Sequence, residues 1–228
     1  LRAATLGFSL EEEVAAGAFL AGDRLVLRLP GHGDRVICHS GDVRLRGRHN
    51  LANVLAAACL SGAAGGPVEV MASVASTFSG VEHRLEIVRE HNDVTWVNDS
   101  IATAPERTVA AIRSFTEPLI LLLGGRDKHL PWEECAAAIH AGHVRHVVLF
   151  GEAADLISEA LARYEQRAGI APISRVNVGD LAAAVATAER LAHAGDVVLL
   201  APGGTSFDAY ADFTVRGQHF RDLVEALS

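Results

Sequence analysis

The arrangement of apolar and polar residues changes along the chain. Up to about residue 48, short stretches such as RLVLRLP and RVICHS alternate apolar with polar side chains and are separated by glycine-rich turns such as PGHGD. This pattern is typical of antiparallel strands joined by hairpins. Because PGHGD lies between two strands, we interpret it as a hairpin turn and not as a dinucleotide-binding loop.

Two helices are predicted to follow these strands. The stretch GRHNLANVLAAACLSGAAGG is rich in alanine and leucine, with Asn50 as its predicted N-cap and Gly62 or Gly65 as its predicted end. The stretch PVEVMASVASTFSG is predicted to begin a second helix at Pro67 and to end it near Gly80.

From about His83 onward, apolar strand-like runs alternate with helix-like runs. The strand-like runs are RLEIVRE, VTWVN, LILLLGG, VRHVVLFG, ISRVNV and DVVLLAPGG. The predicted helices begin near Pro105, Pro131, Glu152, Asp180 and Arg216. Strands that are rich in leucine, valine and isoleucine without strict alternation are typical of a parallel sheet covered on both faces. Residues 83–228 are therefore predicted to form a doubly wound α/β domain.

Polar residues follow three of the predicted strands. NDS follows VTWV, GGRDK follows LILLL, and PGGTSFD follows VVLLA. Ligands of doubly wound sheets bind beyond the carboxyl ends of the strands, so these three stretches are expected to share one crevice. An acid, a lysine and hydroxyl side chains there suit a small charged substrate. Each stretch by itself also fits ordinary turn and helix-capping residues, and GGRDK lacks the spacing of a P-loop.

Composition excludes several classes of function. Half of the 228 residues are hydrophobic, which is enough for one large core or two modest cores. A net charge of -8 and a pI near 5.7 argue against a general nucleic-acid-binding protein. The sequence has no run of about 18 apolar residues and no signal-peptide pattern, so we expect a cytoplasmic protein without a membrane span. Because the sequence begins at Leu1 without a methionine, we interpret it as a fragment.

Neither the cysteines nor the clustered histidines predict a metal site. The three cysteines include no C-x-x-C pair and are expected to be reduced thiols. His140, His143 and His146 in HAGHVRH match no zinc-binding spacing, and Gly142 interrupts any helix there. We expect these histidines to lie in a solvated turn.

Five motifs occur in order along the chain: GRHNLANVLAA, GVEHRLE, NDSIATAPERT, LLLGGRDK and APGGTSFDAYADFTVRGQHF. In order and spacing they resemble the later part of the Mur ligases, cytoplasmic ATP-dependent enzymes of peptidoglycan synthesis. Within this family, the likeness is closest to the branch that adds D-glutamate to UDP-N-acetylmuramoyl-L-alanine. The resemblance implies that residues 1–82 are the carboxyl-terminal remnant of a central α/β ATP-binding domain. It implies that residues 83–228 are the Rossmann-like domain that binds the incoming amino acid.

The resemblance also implies roles for individual residues. Two amides that meet adenine, a guanidinium that contacts phosphate and a carboxylate that accepts from ribose hydroxyls would bind ATP: Asn50, Asn53, Arg84 and Asp99. A cation, hydroxyl donors and nearby backbone N–H groups would bind glutamate: Thr103, Lys128, Ser206, Phe207 and Phe213.

The implied reaction has two steps. The carboxylate of UDP-N-acetylmuramoyl-L-alanine attacks the γ-phosphate of ATP to give an acyl phosphate, and the amine of glutamate then displaces the phosphate. Positioning and charge neutralisation by Mg²⁺ and cationic groups dominate such phosphoryl transfer. The P-loop and the magnesium ligands are expected outside this sequence. The fragment is therefore expected to contribute no catalytic residue and to be inactive alone.

Three alternatives remain open. Some relatives have a lysine after NDS where this sequence has Ile101, so a ligase specific for L-glutamate is one alternative. A folylpolyglutamate synthetase-like ligase shares the HR-x-E region, although GGRDK and PGGTSFD favour the Mur branch. The third alternative is a non-catalytic module that binds a nucleotide or an amino acid. A G-x-x-x-x-G-K-T motif in the upstream gene sequence would argue against that module.

Overall fold

The computed structural model describes residues 5–45, 47–78 and 80–228. The chain divides into two compact units, Leu1–Ser79 and Gly80–Ser228. This division lies close to the predicted domain boundary between residues 82 and 83. The identity of each unit as a particular ligase domain stays a prediction.

The first unit consists of one small sheet and two helices. Its strands are β1 (Gly7–Ser9), β2 (Gly17–Ala21), β3 (Arg24–Arg28) and β4 (Arg35–His39), and they lie in this order in the sheet. The pairings of β2 with β3 and of β3 with β4 are antiparallel, which confirms the predicted hairpins. The pairing of β1 with β2 is parallel and was not predicted. The helices are α1 (Arg48–Ala63) and α2 (Val68–Thr77).

Helix α1 does not begin where the sequence pattern predicted. Its N-cap is Gly47, and Asn50 is a buried residue inside the first turn, so the predicted capping role of Asn50 is wrong. Gly47 has a φ of 94°, a value that side chains disfavour, and this conformation directs the chain into the helix three residues earlier than predicted. At the other end the helix stops at Ala63, shortly before the positive-φ residue Gly65.

The second unit contains a six-stranded sheet. Its strands are β5 (Glu86–His91), β6 (Val94–Asn98), β7 (Leu119–Gly124), β8 (Val144–Phe150), β9 (Ser174–Asn177) and β10 (Val197–Gly203). The order across the sheet is β5-β6-β10-β7-β8-β9. Every neighbouring pair is parallel except β5 with β6. The predicted mostly parallel, doubly wound sheet is confirmed.

Helices cover both faces of this sheet. They are α3 (Pro105–Ile112), α4 (Glu133–Ala141), α5 (Ala154–Ala168), α6 (Leu181–Leu191) and α7 (Phe213–Glu225). On β7, Leu119, Leu121 and Leu123 pack into the core formed with α3, α4 and α5. Ile120 and Leu122 pack into the core formed with α6 and α7. Because successive strand side chains point to opposite faces, β7 is buried on both sides and its sequence is a continuous apolar run.

The start of α7 also differs from the prediction. The helix begins at Phe213, three residues before Arg216, because the carboxylate of Asp212 accepts hydrogen bonds from the N–H groups of Thr214 and Val215. Arg216 therefore lies inside the helix, where it is fully buried.

The HAGHVRH stretch is more ordered than predicted. His140 lies in the last turn of α4, and its Nε2 atom lies 3.2 Å from the buried carboxylate of Glu165 on α5. The predicted solvated turn is therefore wrong for His140, because the helix continues to Ala141. His146 lies on β8, where its Nδ1 atom is 2.9 Å from the hydroxyl of Ser174. Across the described ranges, no group of three or more His, Cys, Asp and Glu side chains is arranged to hold a metal ion.

The order of the strands places a crevice at the carboxyl ends of β6, β10 and β7. Strand β10 lies between β6 and β7, but the helix that follows it covers the opposite face from the helices that follow its two neighbours. Loops that leave adjacent strands toward opposite faces create the crevice in which α/β proteins bind ligands. The NDS, PGGTS and GGRDK stretches all begin at this edge. Within the described part of the chain, no helix has the length and apolar character that a membrane span requires.

Candidate functional site

The NDS turn is fixed by a buried network around Asn98, the last residue of β6. The side-chain amide of Asn98 donates to the carbonyl of Gly217 over 3.1 Å and lies 2.9 Å from Nδ1 of His83. Its side-chain oxygen accepts a hydrogen bond from the backbone N–H of Ser100 over 3.1 Å. His83, Asn98 and Ser100 are all buried. The amide therefore holds the turn between β6 and the loop that precedes α3.

Asp99 is a buried acid at the tip of β6. Its backbone N–H donates to the carbonyl of Leu200 on β10 over 2.8 Å, and its Oδ1 atom accepts from the N–H of Leu85 over 3.0 Å. Burial raises the pKa of the Asp99 carboxyl to about 6, although the Leu85 N–H and the charges of Arg84 and Arg107 act in the opposite direction. At neutral pH the carboxylate is mostly ionised and acts only as an acceptor.

The HR-x-E motif forms a bent segment against Asp99. His83 and Leu85 have φ values of 64° and 47°, a left-handed conformation that residues other than glycine rarely adopt. The carboxylate of Glu86 accepts from the N–H of His83 over 2.9 Å and also pairs with Arg221. Arg84 lies between the two left-handed residues with an exposed side chain. The bend thus exposes a cation at the surface close to a buried acid.

The loops after β6 and β7 bring two of the predicted glutamate-binding residues together. The Nζ atom of Lys128 donates to the hydroxyl of Thr103 over 3.1 Å. The neighbouring Asp127 accepts from the N–H of His129 over 2.7 Å and from the indole N–H of Trp132 over 3.3 Å. Lys128 is exposed, whereas Trp132 is buried. A buried anchor therefore presents a cation at the loop surface.

The loop after β10 is tied directly to the loop after β7. Thr205 and Arg126 exchange two backbone hydrogen bonds of 2.8 Å each. Gly125 makes this approach possible, because it has a φ of 88° and a side chain there would place its Cβ atom 2.1 Å from the carbonyl oxygen of Thr205. The next residue, Ser206, is buried, while Phe207 is 61% exposed. Ser206 therefore lies in the same region as the Lys128 loop.

The buried Arg216 is a feature that the sequence reasoning missed. Its Nε and one Nη atom donate to the hydroxyl and the carbonyl of Ser100 over 3.0 and 2.9 Å, and its other Nη atom donates to the carbonyl of Gly204 over 3.2 Å. Burial lowers the pKa of the guanidinium to about 10, with Asp208 and Tyr210 acting in the opposite direction, so it stays charged at neutral pH. A usable signal was present, because Arg216 lies four residues before the buried Phe220 and shares its helix face.

The remaining predicted residues of the second unit lie at the same sheet edge or next to it. Phe213 is partly exposed at the start of α7, and its carbonyl accepts a hydrogen bond from the hydroxyl of Ser100 over 2.8 Å. Arg84 lies in the bend before β5, and the next residue of that bend, Leu85, donates its N–H to Asp99 at the tip of β6. The structure thus collects seven predicted residues on one edge of the sheet: Arg84, Asp99, Thr103, Lys128, Ser206, Phe207 and Phe213. Their individual ligands stay predictions.

Asn50 and Asn53 both lie on α1 of the first unit. The side-chain amide of Asn53 donates to the side-chain oxygen of Asn50 over 3.2 Å. Asn53 also borders a cavity of about 380 Å³ whose walls are mostly apolar and include Val54, Met71 and Phe78. An amide beside apolar walls is chemically suited to a flat heteroaromatic ring.

Comparison with known families gives a match over the second unit. Residues 83–204 match the family described as "Mur ligase, glutamate ligase domain". The UDP-N-acetylmuramoylalanine--D-glutamate ligase of Clostridium novyi (strain NT) is 40% identical over 220 residues, covering 96% of this chain and 46% of the relative. The ligase of the same name from Symbiobacterium thermophilum is 43% identical over 212 residues, covering 92% and 45%. The chain therefore spans about half the length of the curated relatives it matches.

Solved structures with the same fold include ligases with different substrates. One is the UDP-N-acetylmuramoylalanyl-D-glutamyl-2,6-diaminopimelate--D-alanyl-D-alanyl ligase of Acinetobacter baumannii, with a TM-score of 0.65 and 17% identity over 96% of this chain and 46% of that chain. Another is the Mycobacterium tuberculosis folylpolyglutamate synthase complexed with ADP, with a TM-score of 0.58 and 20% identity over 89% and 46%. At these identities the likeness establishes the fold alone.

Proposed function

We propose that this chain, which belongs to the Mur ligase family, is the carboxyl-terminal part of a cytoplasmic ATP-dependent ligase of peptidoglycan synthesis. The complete enzyme would join glutamate to UDP-N-acetylmuramoyl-L-alanine through an acyl phosphate. In this proposal residues 1–82 complete the ATP-binding domain and residues 83–228 bind glutamate. The names and identities of the curated relatives support this choice.

The observation that carries the proposal is the group formed by Thr103, Lys128 and Ser206 at one sheet edge. Glutamate carries two carboxylates, so its site needs a cation and several donors. Lys128 is the one lysine among the 20 basic Lys and Arg residues of the sequence. Its compact ammonium is already oriented by the hydroxyl of Thr103. A lysine at this position, in a chain that otherwise uses arginine, supports a specific requirement for a point charge.

The nucleotide side of the proposal relies on Asp99 and Arg84. One oxygen of Asp99 is engaged by the N–H of Leu85, which leaves the other oxygen to accept from a ribose hydroxyl. Arg84 is exposed next to it and would contact phosphate. Asn50 and Asn53, with the apolar cavity that Asn53 borders, would receive the adenine ring. In this proposal these residues bind ATP, whereas Mg²⁺ is held by the rest of the enzyme.

The contribution of this chain to the reaction would be positioning. Lys128, Thr103 and Ser206 would hold the two carboxylates of glutamate, so that its amine faces the activated carbonyl. Fixing two reactants in one geometry lowers the entropic part of the barrier substantially.

Steady-state kinetics of the complete enzyme test this proposal. We expect phosphate release that requires ATP, UDP-N-acetylmuramoyl-L-alanine and glutamate, together with a product of matching mass. Lys128→Ala removes a charge-assisted contact of about 1.5–3 kcal/mol, so the glutamate KM should rise roughly tenfold to a hundredfold, with little change in the ATP KM. Arg163→Ala, which removes an exposed cation of α5, is the matched control and should change neither constant.

The same assay separates the related functions. Ile101 in place of a lysine keeps L-glutamate open as the substrate, so D- and L-glutamate are assayed side by side. Ligation of L-glutamate alone would replace the proposed enantiomer, and glutamylation of a folate would move the enzyme to the folylpolyglutamate synthase branch. An unchanged glutamate KM in the Lys128→Ala enzyme would remove Lys128 from the substrate site.

A further inference from the structure

Three loops of the candidate site meet at one guanidinium group. Arg216 hydrogen-bonds Ser100 in the loop after β6 and Gly204 in the loop after β10. It also packs against the loop after β7, because a Cβ atom on Gly125 would lie 2.8 Å from an Nη atom of Arg216. These are the loops that present Thr103, Lys128 and Ser206.

The hydroxyl of Ser100 is held in one orientation by this contact. It donates to the carbonyl of Phe213 over 2.8 Å and accepts from Nε of Arg216 over 3.0 Å. Phe213 and Arg216 lie one turn apart on α7, so the first turn of that helix makes two hydrogen bonds to the Ser100 hydroxyl. The start of α7 is therefore fixed to the NDS turn.

Burying the charge of Arg216 costs free energy, which indicates that this residue does more than fill space in the core. Its guanidinium is fully buried, and in the described part of the chain it donates to one hydroxyl and two carbonyls, while the carboxylate of Asp208 acts on it through charge without a hydrogen bond. Taking a charge out of water without a paired ion is expensive, and an apolar side chain of similar size is often as stable or more stable at a buried position. The forked guanidinium, however, can bind acceptors in separate loops at once, which an apolar side chain cannot do.

We propose that Arg216 is a positioning residue, whose buried guanidinium clamps the three loops and thereby sets the geometry of the amino-acid site. The substrate part of this inference rests on the proposed function. Asp99 is held by Leu85 and Leu200 and not by Arg216, so the nucleotide side keeps its own support. Loss of the clamp should therefore weaken the use of glutamate more than the use of ATP.

Lysine acylation tests the clamp without any substrate. Lys128 is the sole lysine of the native sequence, so mass spectrometry after treatment with an amine-acylating reagent reports on this side chain and the amino terminus alone. In Arg216→Lys the peptide that contains Lys128 is quantified separately from the peptide that contains the introduced lysine. In the 228-residue protein, Arg216→Met and Arg216→Lys should both acylate Lys128 several-fold faster than wild type, because the Lys128 loop loses its support. Arg163→Met is the matched control and should acylate at the wild-type rate. Tryptophan fluorescence and circular dichroism identify variants that are folded.

Kinetics of the complete enzyme test the consequence for the substrate. In folded Arg216→Met and Arg216→Lys enzymes, kcat/KM for glutamate should fall roughly tenfold to a hundredfold, since a displacement of about 1 Å can cost that much, and the ATP KM should stay near wild type. Arg216→Lys should not restore kcat/KM for glutamate, because an ammonium keeps the charge but lacks the forked N–H donors of the guanidinium. Ser100→Ala should give a smaller loss in the same direction.

The acylation rates test the clamp, and the kinetics of the complete enzyme test the proposed function, so either idea can be refuted without the other. An unchanged Lys128 acylation rate in folded variants would overturn the clamp, as would full rescue by Arg216→Lys or an equal rise in the KM values of both substrates. A wild-type enzyme that does not ligate glutamate would refute the proposed function, while the acylation rates would still decide whether the clamp exists. If Arg216→Met does not fold, Arg216→Lys and Ser100→Ala carry the test.

Discussion

The buried carboxyl of Asp99 should make the stability of the second unit depend on pH. Its pKa is raised from the ordinary value of 3.8 to about 6, mainly by burial. The difference of about two units corresponds to roughly 3 kcal/mol at 1.36 kcal/mol per unit. Asp99→Asn is the informative substitution, because an amide oxygen can still accept from the Leu85 N–H but cannot ionise.

The sign follows from where the proton is bound. Because the folded pKa is higher than the unfolded pKa, the folded state holds a proton between about pH 4 and pH 6 that the unfolded state releases. The stability that this protonation provides is fully present below about pH 4 and is lost as the pH rises through 6. Relative to wild type, Asp99→Asn should therefore gain about 1 kcal/mol of unfolding free energy at pH 4.5 and about 3 kcal/mol at pH 7.5.

Tryptophan fluorescence during urea denaturation reports on the unfolding of the second unit, which contains Asp99. The sequence has two tryptophans, and both Trp96 and Trp132 lie in the Gly80–Ser228 unit. Unfolding curves of wild type and Asp99→Asn at the two pH values give the required free energies. Glu90→Gln, which neutralises an exposed carboxylate in β5 of the same unit, is the matched control and should shift the curves by no more than about 0.5 kcal/mol.

The outcome that refutes this reasoning is a constant difference. If Asp99→Asn and wild type differ by the same free energy at pH 4.5 and pH 7.5, the Asp99 carboxyl does not carry a raised pKa. If Asp99→Asn instead becomes less stable relative to wild type as the pH rises, the ionised carboxylate of the wild type stabilises the fold, for example through Arg84 and Arg107. Under the proposed role of Asp99 as an acceptor for ribose hydroxyls, only its ionised form would bind them, so the ATP affinity of the complete enzyme should weaken as the pH falls below about 6.

Three further substitutions test the packing of the second unit by urea denaturation. Gly217→Ala places a Cβ atom 2.3 Å from Nδ1 of His83, so we expect a loss of about 1–3 kcal/mol, and wild-type stability would show that His83 can move away. Phe220→Ala removes a fully buried ring that packs beside Trp96, with an expected loss of about 3–5 kcal/mol, and a loss below 1 kcal/mol would contradict its place in the core. Asp180→Ala removes the carboxylate that caps α6, with an expected loss of about 1 kcal/mol, whereas Asp180→Asn should retain most of the stability.

The central strands were predictable because a strand that is buried on both faces has an apolar side chain at nearly every position. All residues of β7 are buried, and they divide alternately between two helical layers. Such a strand needs no polar face, so its apolar run is visible without a structure. The three-residue strand β1 leaves no comparable signal, and its parallel pairing with β2 depends on a contact between separate parts of the chain.

The parts of the site that escaped prediction are those that depend on backbone conformation or on distant partners. Gly47 starts α1 through a positive φ, which local capping rules for Asn50 did not anticipate. Arg216 was predicted only as the approximate start of a helix, because its acceptors lie more than 100 positions away at Ser100 and 12 positions away at Gly204. A charged residue on an otherwise apolar helix face is the local sign that a distant acceptor is needed.

Direct contacts between the motifs explain why several short motifs together indicate the site better than any one of them does. The HR-x-E segment reaches the NDS turn through the hydrogen bond from Leu85 to Asp99, and the carbonyl of His83 accepts from the N–H of Ile101 over 3.2 Å. The NDS turn in turn reaches the VRGQHF stretch through the bonds between Arg216 and Ser100. A change in one motif would leave buried donors or acceptors unpaired in another, at a cost of about 1–3 kcal/mol for each group. The motifs therefore constrain one another as parts of a single structural unit, and this coupling is what makes their order along the chain informative about the site.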